Sequence, residues 1–459
     1  MHESCGIFGV FAPGLDIARL VFFALFALQH RGQECAGIAV ADGDAIDVYA
    51  KPGLVSQVFN EENLARLRGF AGIGHTCYST CGSHHPATPQ PIIERSGAWQ
   101  VAVSHNGNIT NSAALRRELE AGGMTFQSES DAEVIAKLVI ASHGSTWREK
   151  MTHAVNRLQG AYSMVLLTPE VLIAARDPMG VRPLCLGSLN GSWVLASESC
   201  ALDHIGAEFQ REIRPGELLF LGDKQYSVDQ PRGGRRASCV FEHIYFARPD
   251  STIEGRLVHQ ARLNMGAKLA QEYPVEADIV VGVPDSATTA AIGYARASGI
   301  PYREGLLKNR YVGRTFISPD QRLRDLRVQL KFNPLTSLIK DKRLVVVDDS
   351  IVRGTTTPHV VNLLRQAGAR EIHLRICAPP LRHPCLLGVD MASEKELIAS
   401  RMTVSEIKDY LGVDSLGFSS VDGLLEAIGL PRDRLCLACV DGNYPLPVQL
   451  ELTGLTDKS

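Results

Sequence analysis

Residues 344–357 read Leu-Val-Val-Val-Asp-Asp-Ser-Ile-Val-Arg-Gly-Thr-Thr-Thr. Four apolar residues, Leu344 to Val347, predict a buried strand with Asp348 and Asp349 at its C-terminal end. The small and hydroxylated residues that follow predict a loop. Thr357-Pro358 fits a helix N-cap and first position, and Gly368 fits the stop. In an open α/β sheet, ligands bind off the carboxyl ends of the strands. Small residues let backbone N–H groups approach a phosphate, and a helix N-terminus adds positive potential. Two adjacent carboxylates suit ribose hydroxyls and a hard cation such as Mg²⁺. The stretch therefore predicts an α/β domain that binds a phosphorylated sugar together with a metal.

The surrounding text keeps the same rhythm. Ile279 to Val283 reads as a second strand, followed by Pro284-Asp285-Ser286 and an Ala-rich helix. Strand–helix alternation of this kind predicts a mostly parallel sheet. Lys308 to Thr315 concentrates cations in a short window. Together these strings resemble the type I phosphoribosyltransferases, which bind 5-phosphoribosyl-1-pyrophosphate. The resemblance implies that Asp285 and Ser286 face the pyrophosphate, and that Ser286, Asp348 and Asp349 hold one Mg²⁺ per subunit. It implies that Ser350, Arg353, Gly354, Thr355 and Thr356 cradle the 5′-phosphate. Lys308, Arg310 and Arg314 would form a cationic lid, with Lys331 a further candidate.

Composition narrows the classes. A chain of 459 residues suggests two or three domains, and its net charge of −3 gives no footprint for nucleic acid. The longest apolar run, Leu20 to Leu28, is too short to span a bilayer and predicts a buried helix. No signal-type segment is recognised, so a cytoplasmic enzyme is expected. Eleven cysteines in such a chain point to metal, catalysis or burial rather than structural disulfides. In the first half, short apolar runs such as Val101–Ser104 and Ser163–Leu167 predict strands, and 112–121 and 131–141 predict helices. The Gly/Pro/Arg stretch 229–238 predicts a linker.

Cys5 opens the apolar run Cys-Gly-Ile-Phe-Gly-Val-Phe. If residues 1–4 are removed as a propeptide, its α-amine can serve as general base for its own thiol. Downstream stand His30-Arg31-Gly32-Gln33, His105-Asn106-Gly107-Asn108, Ser130-Asp131-Ala132-Glu133, Arg176 to Leu184 and Ala196-Ser197-Glu198-Ser199. In this order they resemble the class II glutamine amidotransferases over residues 5–228. The resemblance implies Cys5 as nucleophile, Asn106 and Gly107 as the oxyanion hole, and Arg31 and Asp131 in glutamine binding. Cys77 departs from the pattern, since the family places there an arginine that pairs with the glutamine α-carboxylate. A thiol cannot make that bidentate contact. Two readings stay open: a benign change with another group taking over, or a weakened glutaminase.

Cys436-Leu437-Ala438-Cys439, with Cys239 and Cys385, supplies four thiols whose spacing fits zinc or an iron–sulfur cluster alike. Cys35, Cys185, Cys200 and Cys377 have no partner pattern and read as buried apolar residues. The text around Cys239 and Tyr245 to Ser251 resembles the iron–sulfur branch of the amidophosphoribosyltransferases. That resemblance implies one [4Fe–4S] cluster per subunit on Cys239, Cys385, Cys436 and Cys439. It also implies a homotetramer inhibited by purine nucleotides. The expected architecture is an α+β N-terminal-nucleophile domain (an αββα sandwich, 5–228), a linker (229–238), an α/β phosphoribosyltransferase domain (239–430) and a C-terminal segment with cluster ligands (431–459). The implied activity is glutamine-dependent amination of 5-phosphoribosyl-1-pyrophosphate. The alternatives are an ammonia-dependent transferase with an impaired glutaminase, and a non-catalytic nucleotide sensor.

Overall fold

A computed structural model of the chain describes residues 5–78, 88–222, 225–229, 235–309, 332–389, 391 and 393–446. The first half stacks two antiparallel sheets. In the seven-stranded sheet, Gly6–Phe11 lies between Ser192–Ala196 and Ala71–Cys77, and Ala71–Cys77 in turn pairs with Cys35–Ala41. The six-stranded sheet is centred on Leu172–Arg176, Gly160–Leu167 and Trp99–Ile109.

Side-chain alternation explains the layers, because successive strand residues face opposite ways. Ile7, Ala39 and Ile73 point inward and pack with Ala102, Val165 and Leu219 of the other sheet. Phe8, Val10, Ile38 and Val40 point outward, under Val21 and Leu25 of the helix Ile17–Ala27. On the far side, helices Ser112–Ala121, Asp131–Ala141 and Trp147–Arg157 cover Val101, Val103, Met164 and Ile173. The result is an α/β/β/α sandwich, and both helix spans expected at 112–121 and 131–141 are present. One expectation is corrected. The apolar run Leu20–Leu28 does not lie wholly inside, since Phe23 and Phe26 are 49% and 50% exposed on the outer face of their helix. Apolar composition alone does not say which face a neighbouring layer covers.

The second half carries a parallel four-stranded sheet in the order Ile279–Gly282, Arg343–Asp348, Glu371–Ile376, Ser415–Phe418. The strand of the opening motif is central and buried on both faces, which accounts for its unbroken Leu-Val-Val-Val. The helix after its loop spans Thr357–Gln366 with Pro358 in its first turn. Thr356, not Thr357, occupies the cap position, and Gly368 follows the helix end at φ +89°.

The halves share one core. Ala161, Met179 and Val181 pack into the apolar cluster of the second half. The Ala237 N–H donates to the Met179 carbonyl (2.9 Å), and the Cys239 N–H to that of Val181 (3.0 Å). The expected linker is therefore shorter than 229–238. Asp229 ends a strand, Ser238 begins the strand Ser238–Cys239, and 230–234 lie outside the described residues.

Candidate functional site

Cys5 precedes the first strand and is 8% exposed. Burial raises its thiol, while the Tyr78 backbone N–H and the Arg31 and Arg182 charges act against that rise. The Arg31 Nε donates to the Cys5 carbonyl (3.1 Å). Its two terminal nitrogens bind Glu198 and Glu242, the latter at 2.9 and 3.0 Å. This guanidinium has no free fork for a substrate carboxylate, which corrects the expectation that Arg31 binds glutamine. It fixes the backbone of Cys5 instead. Glu242 comes from the second half and also receives Arg182 (3.4 Å), so a buried ion-pair network joins the halves directly behind Cys5. Glu198 is held well below the usual carboxylate range: burial works against its ionisation, and His30 and Arg31 overcome it.

Cys77 brings a second correction. It is disulfide-bonded to Cys35, with the Cα atoms 5.1 Å apart. Neither Cys35 as a partnerless residue nor Cys77 as a free thiol in the glutamine site holds. Residues 35 and 77 face each other across paired antiparallel strands, a relation that sequence separation conceals. Among the described residues, Cys5, Cys35 and Cys77 form one buried cluster of their own.

Asn106 and Gly107 lie on the edge-forming end of the strand Trp99–Ile109. The Asn106 Nδ2 is buried with no acceptor among the described residues, as an amide donor reserved for a substrate oxyanion would be. Gly107 adopts φ +148°, and a Cβ there would sit 2.0 Å from the Ala161 carbonyl oxygen, so only glycine fits. His75 Nε2 contacts the His105 carbonyl (3.0 Å), tying this strand to the one that ends in Cys77. Burial lowers the His75 pKa to about 3, so the ring stays neutral. Asp131 opens the helix Asp131–Ala141, and its carboxylate accepts from the Ile109 N–H at 2.8 Å. Burial raises the Asp131 carboxyl, opposed by Ile109 and the Ser112 hydroxyl, so a substrate ammonium there would favour its ionised form.

The second half reaches this site through a loop. A Cβ on Gly388 would lie 2.9 Å from the Gly107 carbonyl carbon, and Gly388 itself has φ +100°. Asn108 Nδ2 donates to the Leu386 carbonyl and Arg182 Nη2 to that of Leu387, both at 3.0 Å. Sequence reasoning met Arg182 and Glu198 within family strings without giving them a role, and assigned none to Glu242 or Gly388. The strings Ser197-Glu198-Ser199 and Phe241-Glu242 carried the signal, as acids within apolar text with no local cation to pair.

In the phosphoribosyl-type loop, Asp349 is 8% exposed and accepts from the Ser350 hydroxyl at 2.5 Å and from Ser286. Burial raises its carboxyl, opposed by those two serines and by Arg262. The Val283 N–H donates to the Val347 carbonyl (2.9 Å), so both strand ends open on one side and bring Asp285, Ser286, Asp348 and Asp349 together. Lys308 Nζ bonds Asp285 (2.5 Å), and Arg353 Nε bonds Glu396 (2.7 Å). Both pairs are partly exposed, the kind that a competing phosphate displaces at little cost. Gly354 has φ +68° where a Cβ would meet Ile398, and Thr355 and Thr356 complete the loop before the helix. Arg310, Arg314 and Lys331 lie outside the described residues.

Cys239, Cys385, Cys436 and Cys439 line one cavity between the halves, with Val181, Arg182, Leu387 and Met391. Cys239 and Cys436 are register partners in a two-stranded parallel pair. Burial, together with the other thiols, raises Cys439 well above the ordinary thiol and Cys436 to about 12. Burial also raises Cys239 to about 11, against the Arg182 charge. Among the described residues, no group of three or more His, Cys, Asp or Glu side chains meets the geometry of a metal-ion site.

Family models match in two places: a glutamine amidotransferase domain over residues 79–204, and a phosphoribosyl transferase domain over 258–399. The amidophosphoribosyltransferase of Methanothermobacter thermautotrophicus is 47% identical over 99% of this chain and 97% of its own. That of Methanocaldococcus jannaschii is 48% identical over 97% and 98%. The solved glutamine phosphoribosylpyrophosphate amidotransferase of Bacillus subtilis, complexed with ADP and GMP, superposes with TM-score 0.90 at 44% identity, covering 96% of this chain and 97% of that one. Both family models and relatives matched over nearly their whole length agree, and the chain belongs to the amidophosphoribosyltransferase family.

Proposed function

We propose that this chain makes 5-phospho-β-D-ribosylamine, glutamate and pyrophosphate from 5-phosphoribosyl-1-pyrophosphate, glutamine and water, the committing step of purine synthesis. The observation that carries this reading is the contact of Gly388 with Gly107, which joins a glutaminase oxyanion segment to a phosphoribosyl-type half in one chain.

Cys5 Sγ attacks the glutamine side-chain amide carbon. Its free α-amine, once residues 1–4 are removed, takes the thiol proton. Asn106 Nδ2 and the Gly107 N–H receive the developing oxyanion, and Asp131 holds the substrate α-ammonium. Ammonia leaves, and water hydrolyses the γ-glutamyl thioester to glutamate. The ammonia then passes within the chain to the second site and displaces pyrophosphate from C1 of the phosphoribosyl substrate.

Mg²⁺, when bound, neutralises charge on the pyrophosphate. Ser286, Asp348 and Asp349 are the residues that would hold it, and the raised Asp349 carboxyl fits a position where a cation restores ionisation. We read the quartet Cys239, Cys385, Cys436 and Cys439 as the residues that would hold a [4Fe–4S] cluster. The support for this reading is that all four thiols line one cavity between the halves. Such a cluster would tie strand Ser238–Cys239, the Cys385 loop and the C-terminal segment together. Anaerobically purified protein should then contain iron and sulfide in near-equal amounts, and colourless protein with stoichiometric zinc would refute the assignment. A cytoplasmic homotetramer regulated by purine nucleotides completes the proposal. Among the described residues, no helix is long and apolar enough to cross a membrane.

Asn106→Ala tests the glutaminase assignment. Loss of one oxyanion donor lowers kcat with glutamine by about 10²–10³-fold and leaves KM nearly unchanged. Ammonia-dependent synthesis stays at the parent rate. Equal loss with both donors would place Asn106 in the fold rather than in the chemistry. A second reading, an ammonia-dependent transferase with an impaired glutaminase, is favoured by one observation: Cys77 is bonded to Cys35 where the family places a carboxylate-binding arginine.

A further inference from the structure

The strand Ala71–Cys77 has a cysteine-bearing neighbour on each side. Cys35 is the register partner of Cys77 on one flank. On the other flank Gly6 opposes Thr76, so the antiparallel register continued by one residue sets Cys5 opposite Cys77. Directly opposed residues of an antiparallel pair project to the same face. The three side chains accordingly pack as one buried cluster, with Cys35 and Cys77 0% and 2% exposed. Cys77 is the middle member, with the bonded Cys35 on one flanking strand and Cys5 on the other.

A thiolate attacks a disulfide sulfur and expels the other as a thiolate, through a mixed-disulfide intermediate. The attack is most favourable in line with the S–S bond. Three neighbouring strands place the bonded Cys35 on one flank of Cys77 and Cys5 on the other, the order of groups that such a displacement needs. Burial keeps bulky external thiols away and gives the intramolecular partner the advantage of a high effective concentration.

We propose that Cys5, Cys35 and Cys77 form a thiol–disulfide exchange site that switches the glutaminase covalently. The Cys5 thiolate attacks Cys77 Sγ, the Cys5–Cys77 bond forms, the Cys35–Cys77 bond breaks, and Cys35 leaves as a thiolate that takes up the proton Cys5 has lost. No electrons are gained or lost overall. A small external dithiol releases the nucleophile: it is oxidised to its disulfide, and Cys5 and Cys77 become thiols, with Cys35 already one. While bonded to Cys77, Cys5 has no sulfur to offer glutamine, and the phosphoribosyl site is untouched. The inference rests on the reading of Cys5 as the glutaminase nucleophile.

The test uses the full-chain enzyme purified without thiols, mapped by non-reducing peptide mass spectrometry before and after dithiothreitol and assayed with both nitrogen donors. A Cys5–Cys77 peptide pair is expected before reduction and not after it. Glutamine-dependent activity should rise by about fivefold or more on reduction, with ammonia-dependent activity constant. Cys35→Ala, which lacks the bond that Cys5 attacks, should show neither the pair nor the rise. Thiol-free protein that keeps Cys35–Cys77, leaves Cys5 open to alkylation and gains nothing from dithiothreitol would overturn the exchange site. A separate arm treats the reduced enzyme with an electrophilic glutamine analogue. Labelling of Cys5 there upholds the nucleophile whatever the mapping finds, and failure to label it overturns the nucleophile reading itself.

Discussion

Asp349→Asn lowers phosphoribosylamine formation by about 10²–10³-fold with glutamine and with ammonia alike, the scale expected when a preorganised charged group is removed from a site of charge development. The residue stands at the end of the central parallel strand, 8% exposed, with its carboxylate held by Ser286 and Ser350. Stability moves the other way. Burial raises this carboxyl in the folded chain above its unfolded value, so the folded state binds more protons and stability falls as pH rises from the unfolded value through the raised one. At neutral pH the Asn variant should therefore melt no lower than the parent. A lower Tm accompanying the lost activity would show that Asp349 holds the loop together rather than serving the substrate.

Cys5→Ala produces the opposite pattern. Glutamine-dependent synthesis drops by about 10⁴-fold or more, as it does when a nucleophile acting in a unit is removed, and ammonia-dependent synthesis stays within about twofold. The replaced side chain is small and buried, and Arg31 grips the carbonyl of residue 5, not its sulfur, so the buried network with Glu198 and Glu242 survives the change. Steady-state rates with each donor at saturating phosphoribosyl substrate decide the matter. Retained glutamine use would remove Cys5 from the chemistry. A matching loss with ammonia would show that the Cys5 strand supports the distant site structurally.

The parts legible in the sequence are those where local pattern and chemistry coincide. Leu344–Val347 is a buried parallel strand because it is flanked by paired strands on both sides, and an uninterrupted apolar run announces that. Helices 112–121 and 131–141 follow from apolar spacing. What stayed hidden depends on contacts between remote segments. The Cys35–Cys77 bond is set by strand register across 42 residues. Arg31 reads as a substrate ligand until Glu242, 211 residues away, is seen to occupy it. Gly388 looks like an ordinary turn glycine until its approach to Gly107 is measured. The exposed Phe23 and Phe26 show the same limit on a helix, where a side chain's own polarity does not reveal which face is covered.

The central claim is that one chain releases ammonia at Cys5 and consumes it at Asp348 and Asp349. The most direct measurement supplies the reduced enzyme with 5-phosphoribosyl-1-pyrophosphate, amide-nitrogen-labelled glutamine and excess unlabelled ammonium, and follows label in the phosphoribosylamine, trapped as it forms. Product enriched far above the labelled fraction of the bulk ammonia is the predicted result. Product carrying only the bulk fraction, or formed equally well without glutamine, would contradict it.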